Sequence, residues 1–332
     1  MSTASEPLRG ADAAGDREPS PLSPLAPVAD RARHLAPQPA GTGAMTIDVE
    51  DYFQVEAFAS TIDRKDWHQL PSRVERNTHR LLDILAEAEV QATFFALGGV
   101  VRRHPSIARR ILADGHELAS HGMDHLRADR SSPSAFRADI RDSKRILEDA
   151  GGVTVNGYRA PTFSIGPKSA WAHAILAEEG YRYSSSVYPV KHDLYGSPDA
   201  PRSAFSPCPG LVEIPMTTVR LLGRDVPASG GGYFRLFPYL LSRWLLTKAG
   251  RGGDPAVFYL HPWEIDPQQP RQRQAPLRSR FRHYLNLGRT EPRLRRLLRD
   301  FNWTRLDRLF LTEGAGSYPS IATWTDRRPP SA

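Results

Sequence analysis

Three carboxylates crowd the stretch TIDVEDYF: Asp48, Glu50 and Asp51 fall within four residues of an apolar run. Acids are poor strand formers and like charges repel, so the cluster calls for a cation to face it. Alternation along a strand puts Asp48 and Glu50 on one side and Val49 on the other, while Asp51 falls at the strand's end, where its face is not fixed. Farther on, SHGMDH carries His121 and His125. That spacing puts two imidazoles on one side of a helical turn, within reach of one metal ion. Two neutral imidazoles and a carboxylate leave positions open for water and substrate, the layout of a catalytic rather than a structural site. Zinc or another divalent transition ion suits these donors.

Other stretches supply partners. GYRAPTFS offers Arg159, held by an Ala-Pro turn, whose guanidinium can orient a carboxylate base and lower its pKa. VFYLHPWEID delivers His261 at the end of an apolar run, as a general acid, a third ligand or a core histidine; with a metal and a base nearby, the acid role fits best. ASGGGYFRLFP joins three glycines to Tyr233 and Arg235, residues suited to a sugar groove or to a plain turn. Trp263, beside His261, reads as a wall of the reacting pocket or as core.

These residues need elements to carry them. AMTIDV, ATFFAL, ELAS, TVNGYR, YRYSSS, LVEIPM and AVFYL read as strands. Helical patterns separate several of them: Leu81, Leu82, Leu85 and Ala88 form one stripe, and SPSAFRADIRDSKRILEDAGG opens on Ser-Pro and closes on Gly-Gly, as capping physics prefers. The repeated β-α alternation implies parallel strands with crossover helices, hence an α/β barrel or a doubly wound sheet. The ionisable residues above all sit at C-terminal ends of strands, where parallel α/β folds build their sites.

Composition bounds the rest. Of 332 residues, 40% are hydrophobic, enough for a real core. Residues 1–43 carry seven prolines and almost no aromatic side chains, and read as a disordered leader. The single cysteine, Cys208, allows no internal disulfide and is compatible with a reducing compartment. No apolar run has the length of a membrane span, and the N-terminus lacks the apolar core of a secretory signal. A cytoplasmic location, or a peripheral one at the inner membrane, is the expectation. The net charge is +7, but residues 268–332 alone hold 14 Arg and 5 acids. The basic signal therefore belongs to a C-terminal helical extension, which reads either as a solvated Arg-rich face or as an arm for an anionic membrane surface. Nucleic acid is excluded as a partner by the lack of interleaved aromatic and basic residues and of a helix-turn-helix.

Taken together and in this order, the strand-end Asp, His-x₃-His, Arg-x-Pro and Leu-His motifs resemble carbohydrate esterase family 4, the NodB-like polysaccharide deacetylases. The likeness spans roughly residues 44–265. TIDVEDYF, GYRAPTFSIG, EIPMTT, SGGGYFRLFP and FYLHPWEID resemble in particular the subgroup found with exopolysaccharide and exosortase (PEP-CTERM) loci, which carries a C-terminal extension. The resemblance implies a distorted (β/α) barrel of about seven parallel strands over residues 44–267, followed by the basic extension at 268–332. It also implies hydrolysis of acetyl groups from N-acetylated or O-acetylated sugars. Carried over by position, Asp48 matches the catalytic base, His121 and His125 the metal ligands, Arg159 and Pro161 the third motif, and Leu260 and His261 the last. In such a mechanism a divalent metal, zinc by preference, polarises the acetyl carbonyl, Asp48 takes the proton of the attacking water, and His261 protonates the leaving amine. Two positions depart from the pattern. Val49 follows Asp48 where a second Asp is usual, which leaves Glu50, the preferred choice, or Asp51 as ligand. Ser184 stands where an Asp would orient the acid histidine, which leaves Asp193 or Glu264 for that task. The expected function is deacetylation of a polysaccharide or its lipid-linked precursor. A small-molecule amide hydrolase and an inactive glycan-binding module are the alternatives.

Overall fold

The computed structural model describes Met1 and residues 41–251, 255–312 and 318–321. The chain divides after Pro37, and every element belongs to the unit that begins at Gln38. The leader expected over 1–43 lies outside the described residues as far as residue 40; Thr42 already opens the first strand.

The first half alternates as its sequence pattern requires: β1 (Thr42–Val49), α1 (Val74–Glu87), β2 (Thr93–Ala96), α2 (Gly98–Arg103), α3 (Pro105–Ala113), β3 (Glu117–Ser120), α4 (Pro133–Gly151), β4 (Gly157–Tyr158), α5 (Trp171–Glu178) and β5 (Tyr183–Ser184). Local chemistry sets the bounds. In α4 the Ser132 hydroxyl accepts from the Ala135 N–H at 3.2 Å, Pro133 occupies the first turn, and Gly152 closes the helix at φ +66°. The second half is less regular: β6 (Phe205–Cys208), β7 (Leu211–Glu213), the hairpin β8 (Thr218–Leu221) and β9 (Arg224–Pro227), α6 (Gly231–Leu236), α7 (Tyr239–Gly250) and β10 (Ala256–Leu260). It ends in α8 (Leu277–Tyr284), α9 (Leu287–Asp300), β11 (Asn302–Thr304) and α10 (Leu306–Phe310).

Seven strands run parallel in the order β10-β1-β2-β3-β4-β5-β7, with β6 antiparallel on the last. The sheet is curled. β10 and β5 stand five strands apart, about 24 Å in a flat sheet. Yet Tyr259 of β10 packs its ring 6.5 Å from that of Tyr188, just past β5. The fold is thus the expected distorted α/β barrel, with no ladder joining its two ends among the described residues. One apolar cluster, with Ile47, Val49, Phe94, Leu118 and Tyr158, packs against α1–α5. A second, with Phe95, Ala119, Tyr183, Met216 and Tyr259, fills the inner face.

Register aligns the strand ends that matter. Val49 pairs with Ala96, Ala96 with Ser120, Ser120 with Tyr158, and Ile47 with Leu260. The residues that follow, Glu50, His121, Arg159 and His261, therefore emerge along one rim.

The C-terminal extension is more than a basic helical arm. β11 pairs in parallel with the start of β1, Thr42 with Asn302, and Leu306 and Phe310 are buried in the inner cluster. Leu294, Leu297 and Leu298 of α9 enter the outer one. Much of its arginine is committed within the molecule. Arg295 pairs with Glu87 and Glu291, Arg293 caps the carbonyls of Phe234 and Phe237, and Arg305 binds Asp307 and the Gly115 carbonyl.

Candidate active site

The rim encloses a cleft of about 500 Å³. On one wall, β1 presents Asp48 near its end and Glu50 follows just past it, both buried. Asp48 Oδ1 accepts from Arg159 Nη1 at 2.7 Å. Arg159 is sealed from solvent. It also donates to the Thr46 hydroxyl (2.8 Å), the Ser185 carbonyl (3.1 Å) and the Ser185 hydroxyl (3.0 Å), and stacks over Phe95 at 4.1 Å. Every one of these contacts fixes the plane of the guanidinium and so the aim of the Asp48 carboxylate.

Glu50, His121 and His125 converge, with one donor atom from each lying within 4.8 Å of the others. His125 Nε2 is 2.8 Å from Glu50 Oε2, which is buried and makes no hydrogen bond of good geometry. His121 Nδ1 donates to the Arg159 carbonyl at 2.8 Å, which fixes the tautomer and leaves Nε2 as a bare donor. Burial pushes the His121 pKa down to about 4, against the pull of Asp48, so the ring is neutral at pH 7. Burial alone would raise Glu50, but His125 and His261 overcome it and hold the carboxyl down to about 2. A buried carboxylate oxygen beside two imidazoles, that of His121 neutral and oriented, fits a divalent cation. The His pair does not ride on a helical turn as its spacing predicts. It spans a loop in which Gly122 takes φ +80° and His125 itself φ +59°, an uncommon backbone for a histidine.

Asp51 stands apart from this group, contrary to its candidacy as a ligand. Its Oδ2 accepts from the Ser72 hydroxyl (2.7 Å) and from the N–H groups of Arg73 (2.8 Å) and Val74 (3.2 Å), and so caps α1 from a distance.

The neighbouring strand β10 delivers His261 just past its end. Its Nε2 lies 4.0 Å from Asp48 Oδ2 and 3.4 Å from Glu50 Oε1. Its Nδ1 donates to Glu264 Oε1 at 2.8 Å. Glu264 is fully buried and receives Arg235 Nε on its other oxygen at 2.7 Å. Burial pushes the Glu264 pKa up, but Arg235 and His261 prevail and bring it to about 2. Burial likewise disfavours charged His261, while Glu50, Glu264 and Asp48 outweigh it and raise the imidazole to about 9. Glu264 thus occupies the orienting place that Ser184 leaves empty; Ser184 is buried and donates to Ser186. Asp193 instead pairs with Arg278 and Arg282 at the cleft's edge.

Three of the four substrate-facing candidates, Tyr233, Arg235 and Trp263, line the cleft, though Arg235 has other partners. Arg235 is buried and spent: besides Glu264 it binds the carbonyls of His283 (2.8 Å) and Leu285 (2.9 Å), the C-terminal end of α8. Gly231 makes room for Glu264, and Gly230 for the ring of Tyr259. A Cβ on Gly231 would sit 1.9 Å from Glu264 Oε1, and Gly230 takes φ +101°. Pro161 does not line the cleft, but Ala160, Thr162 and Phe163 do. Trp263 lines the cleft and donates to Glu50 Oε1 at 3.3 Å, its ring stacked between His261 (5.2 Å) and His283 (4.2 Å). Tyr233 lines it as expected.

The sequence reading missed the contribution of α8. His283, Phe281, Arg278 and Arg282 all line the cleft, as do His192 and Tyr195, stacked at 4.0 Å. The RFRHY stretch held the signal, an aromatic-and-histidine cluster inside an otherwise basic run.

Two stretches of the chain match known families. Residues 55–184 match the polysaccharide deacetylase family, and residues 185–311 match a domain of unknown function, DUF3473. A peptidoglycan-N-acetylglucosamine deacetylase of Bacillus cereus is 39% identical over 71 residues, 21% of this chain and 33% of its own. A chitooligosaccharide deacetylase of Rhizobium leguminosarum bv. trifolii is 40% identical over 73 residues, 22% and 34% of the two chains. The chain thus spans about a third of the length of these curated relatives. In fold it is similar to a crystal structure from Mycobacterium smegmatis assigned to the polysaccharide deacetylases, with a TM-score of 0.58, 21% identity and coverage of 87% and 96% of the two chains.

Proposed function

Since this chain belongs to the polysaccharide deacetylase family of carbohydrate esterase family 4, we propose that it hydrolyses acetyl groups from N-acetylated sugars of a polysaccharide or oligosaccharide. The observation that carries the reading is the pairing of Asp48 and His261 across 4.0 Å, directly beside Glu50, His121 and His125. Glu50, His121 and His125 would hold a divalent ion, zinc by the nature of the donors, which would supply Lewis-acid polarisation of the acetyl carbonyl.

This chain's own residues do the rest. Asp48, aimed by Arg159, takes a proton from the attacking water. The water oxygen bonds to the acetyl carbon. His261, held charged by Glu264, gives its proton to the amide nitrogen as the carbon–nitrogen bond breaks, leaving acetate and a free amine. Tyr233 and Trp263 offer ring faces for the sugar. The acidic partner at His261 Nδ1 weighs against an inactive glycan-binding module, because the departure at Ser184 leaves the acid with an orienter. The product amine would change the charge of the polymer. The motifs shared with exopolysaccharide-locus proteins support a role in exopolysaccharide synthesis, on the polymer or a lipid-linked precursor.

Acetate release from chitin-like oligosaccharides, measured alongside metal content, tests the reading. Asp48→Asn should lower kcat by about 10³-fold with the metal retained. His121→Ala should lose metal and activity together. Wild-type protein that is metal-loaded yet inert on every acetylated glycan would overturn it.

A further inference from the structure

The cleft opens beside a surface that the proposed chemistry does not use. Of the ten large apolar side chains exposed among the described residues, six lie on α6, α7 and α8: Leu236, Leu240, Leu241, Trp244, Leu277 and Phe281. They are not scattered. Leu236, Leu240 and Trp244 follow one another at four-residue steps across the α6–α7 junction, and Leu277 and Phe281 do the same on α8. Leu236 and Phe281 meet at the cleft, since both line it. Two rows of apolar side chains thus lead away from one mouth. Their exposure is large, 65% for Leu240, 78% for Leu277 and 62% for Phe281, and a monomer has no reason of its own to keep such residues wet.

The chain around the rows is basic. Residues 236–251 and 268–286 together contain eight Lys or Arg and no acid. Arg243 pairs with Asp300, and Arg278 and Arg282 share Asp193, but others stay uncommitted. Lys248, Arg271, Arg273 and Arg280 have no carboxylate partner among the described residues; Lys248 lies 5.2 Å over Trp244 and Arg271 4.3 Å over Tyr284. Apolar side chains with an indole among them, fringed by unpaired cations on two helices, match the boundary of an anionic bilayer: acyl chains accept the apolar rows, headgroup phosphates the cations.

We propose that the α7–α8 face docks on an anionic lipid surface and thereby presents the cleft mouth to substrate held at that surface. The occupant is lipid rather than a protein partner because the segments that carry the apolar rows hold eight Lys or Arg and no acid of their own, and Asp193 and Asp300 offset only part of that charge. A second copy of the same face would repel it. The bulk of the C-terminal arginines, fixed in internal pairs, takes no part.

Sedimentation of the full chain with vesicles tests the surface without calling on deacetylation. Phosphatidylcholine vesicles containing phosphatidylglycerol should carry the protein down. Vesicles of phosphatidylcholine alone should not, and high salt should release it. Leu240→Ser combined with Trp244→Ala and Leu277→Ser should weaken binding by about tenfold or more, with acetate release from soluble oligosaccharides unchanged. Circular dichroism and a melting curve establish that this variant folds. Equal binding to neutral vesicles, or undiminished binding by the folded variant, would overturn the proposal. So would a concentration-dependent dimer abolished by the same substitutions. Loss of acetate release in wild type with vesicle binding intact would instead strike the deacetylase reading alone.

Discussion

Two buried arginines support the site, and they work differently. Arg159 touches the reacting carboxylate itself, and its other donors go to Thr46 and Ser185 beside the sheet. Arg235 stands one residue removed: it holds Glu264, which holds His261, and its remaining donors go to the end of α8. The base side is thus anchored to the strands, whereas the acid side is anchored to the C-terminal extension. One guanidinium aims a carboxylate; the other keeps a second carboxylate ionised so that an imidazole stays charged. A site of this kind needs opposite protonation on its two sides at one pH, and each side has its own arginine for it.

The comparison can be broken most directly at Glu264. Glu264→Gln should lower kcat by about 10²-fold with little change in KM, since the group acts through His261. The pH profile sharpens the point. His261 is raised to about 9. Its proton is therefore available through neutrality and lost as pH rises through that value, and activity should fall with it. The same shift contributes stability that is complete below the ordinary imidazole range and disappears as pH climbs through about 9. In Glu264→Gln the alkaline limb should move to lower pH. An unmoved limb would mean that Glu264 only packs. A metal at Glu50 draws on one of the charges that raise His261, so the loaded enzyme should show its limb below that of the metal-free shift.

A smaller effect is expected at Ser184. Its Cα partner in the sheet is Glu213, which is buried and bonded to His173. Ser184→Asp would set two carboxylates side by side in the core. It should lower stability by about 1–3 kcal/mol, read as a drop in Tm, and bring no gain in kcat, because the orienting place is already taken. A gain would show that the acid side is incomplete. The smallest effect belongs to Asp51→Asn, which weakens the cap of α1 by about 1 kcal/mol while metal content stays at the wild-type level. Loss of metal there would return Asp51 to the ligand set.

What could be read in advance followed from periodicity. Asp48 turns inward because strand alternation demands it, whereas Glu50 already lies past the end of β1, and buried parallel strands announced themselves as apolar runs ending in polar residues. The choice between Glu50 and Asp51 was not legible, since it rests on where α1 begins and which N–H groups need a cap. Arg235 was misread for a related reason. A Gly-Gly-Gly-Tyr-Phe-Arg run has the composition of a ligand loop, and only the approach of Glu264 and Tyr259 reveals what two of the glycines make room for. The hairpin of β8 and β9 also escaped notice: its turn is Leu222-Gly223 with φ +48° and +75°, and leucine is no signal for a left-handed backbone. The extension was misjudged because arginines on a surface read as a charge run, whatever their partners in space.

The pairing of Asn302 with Thr42 has a consequence in time. A growing chain makes β1 first and must wait until Asn302 has been added before β11 can sit beside it. Until α8 and β11 arrive, the lip around Trp263 lacks His283, and the carbonyls that steady Arg235 do not yet exist. Such a distant closure is slow on entropic grounds and leaves one stretch of β1 bare during synthesis. The hydrolytic centre therefore comes into being as the last act of folding, and a nascent or truncated chain carries the motifs without the machine.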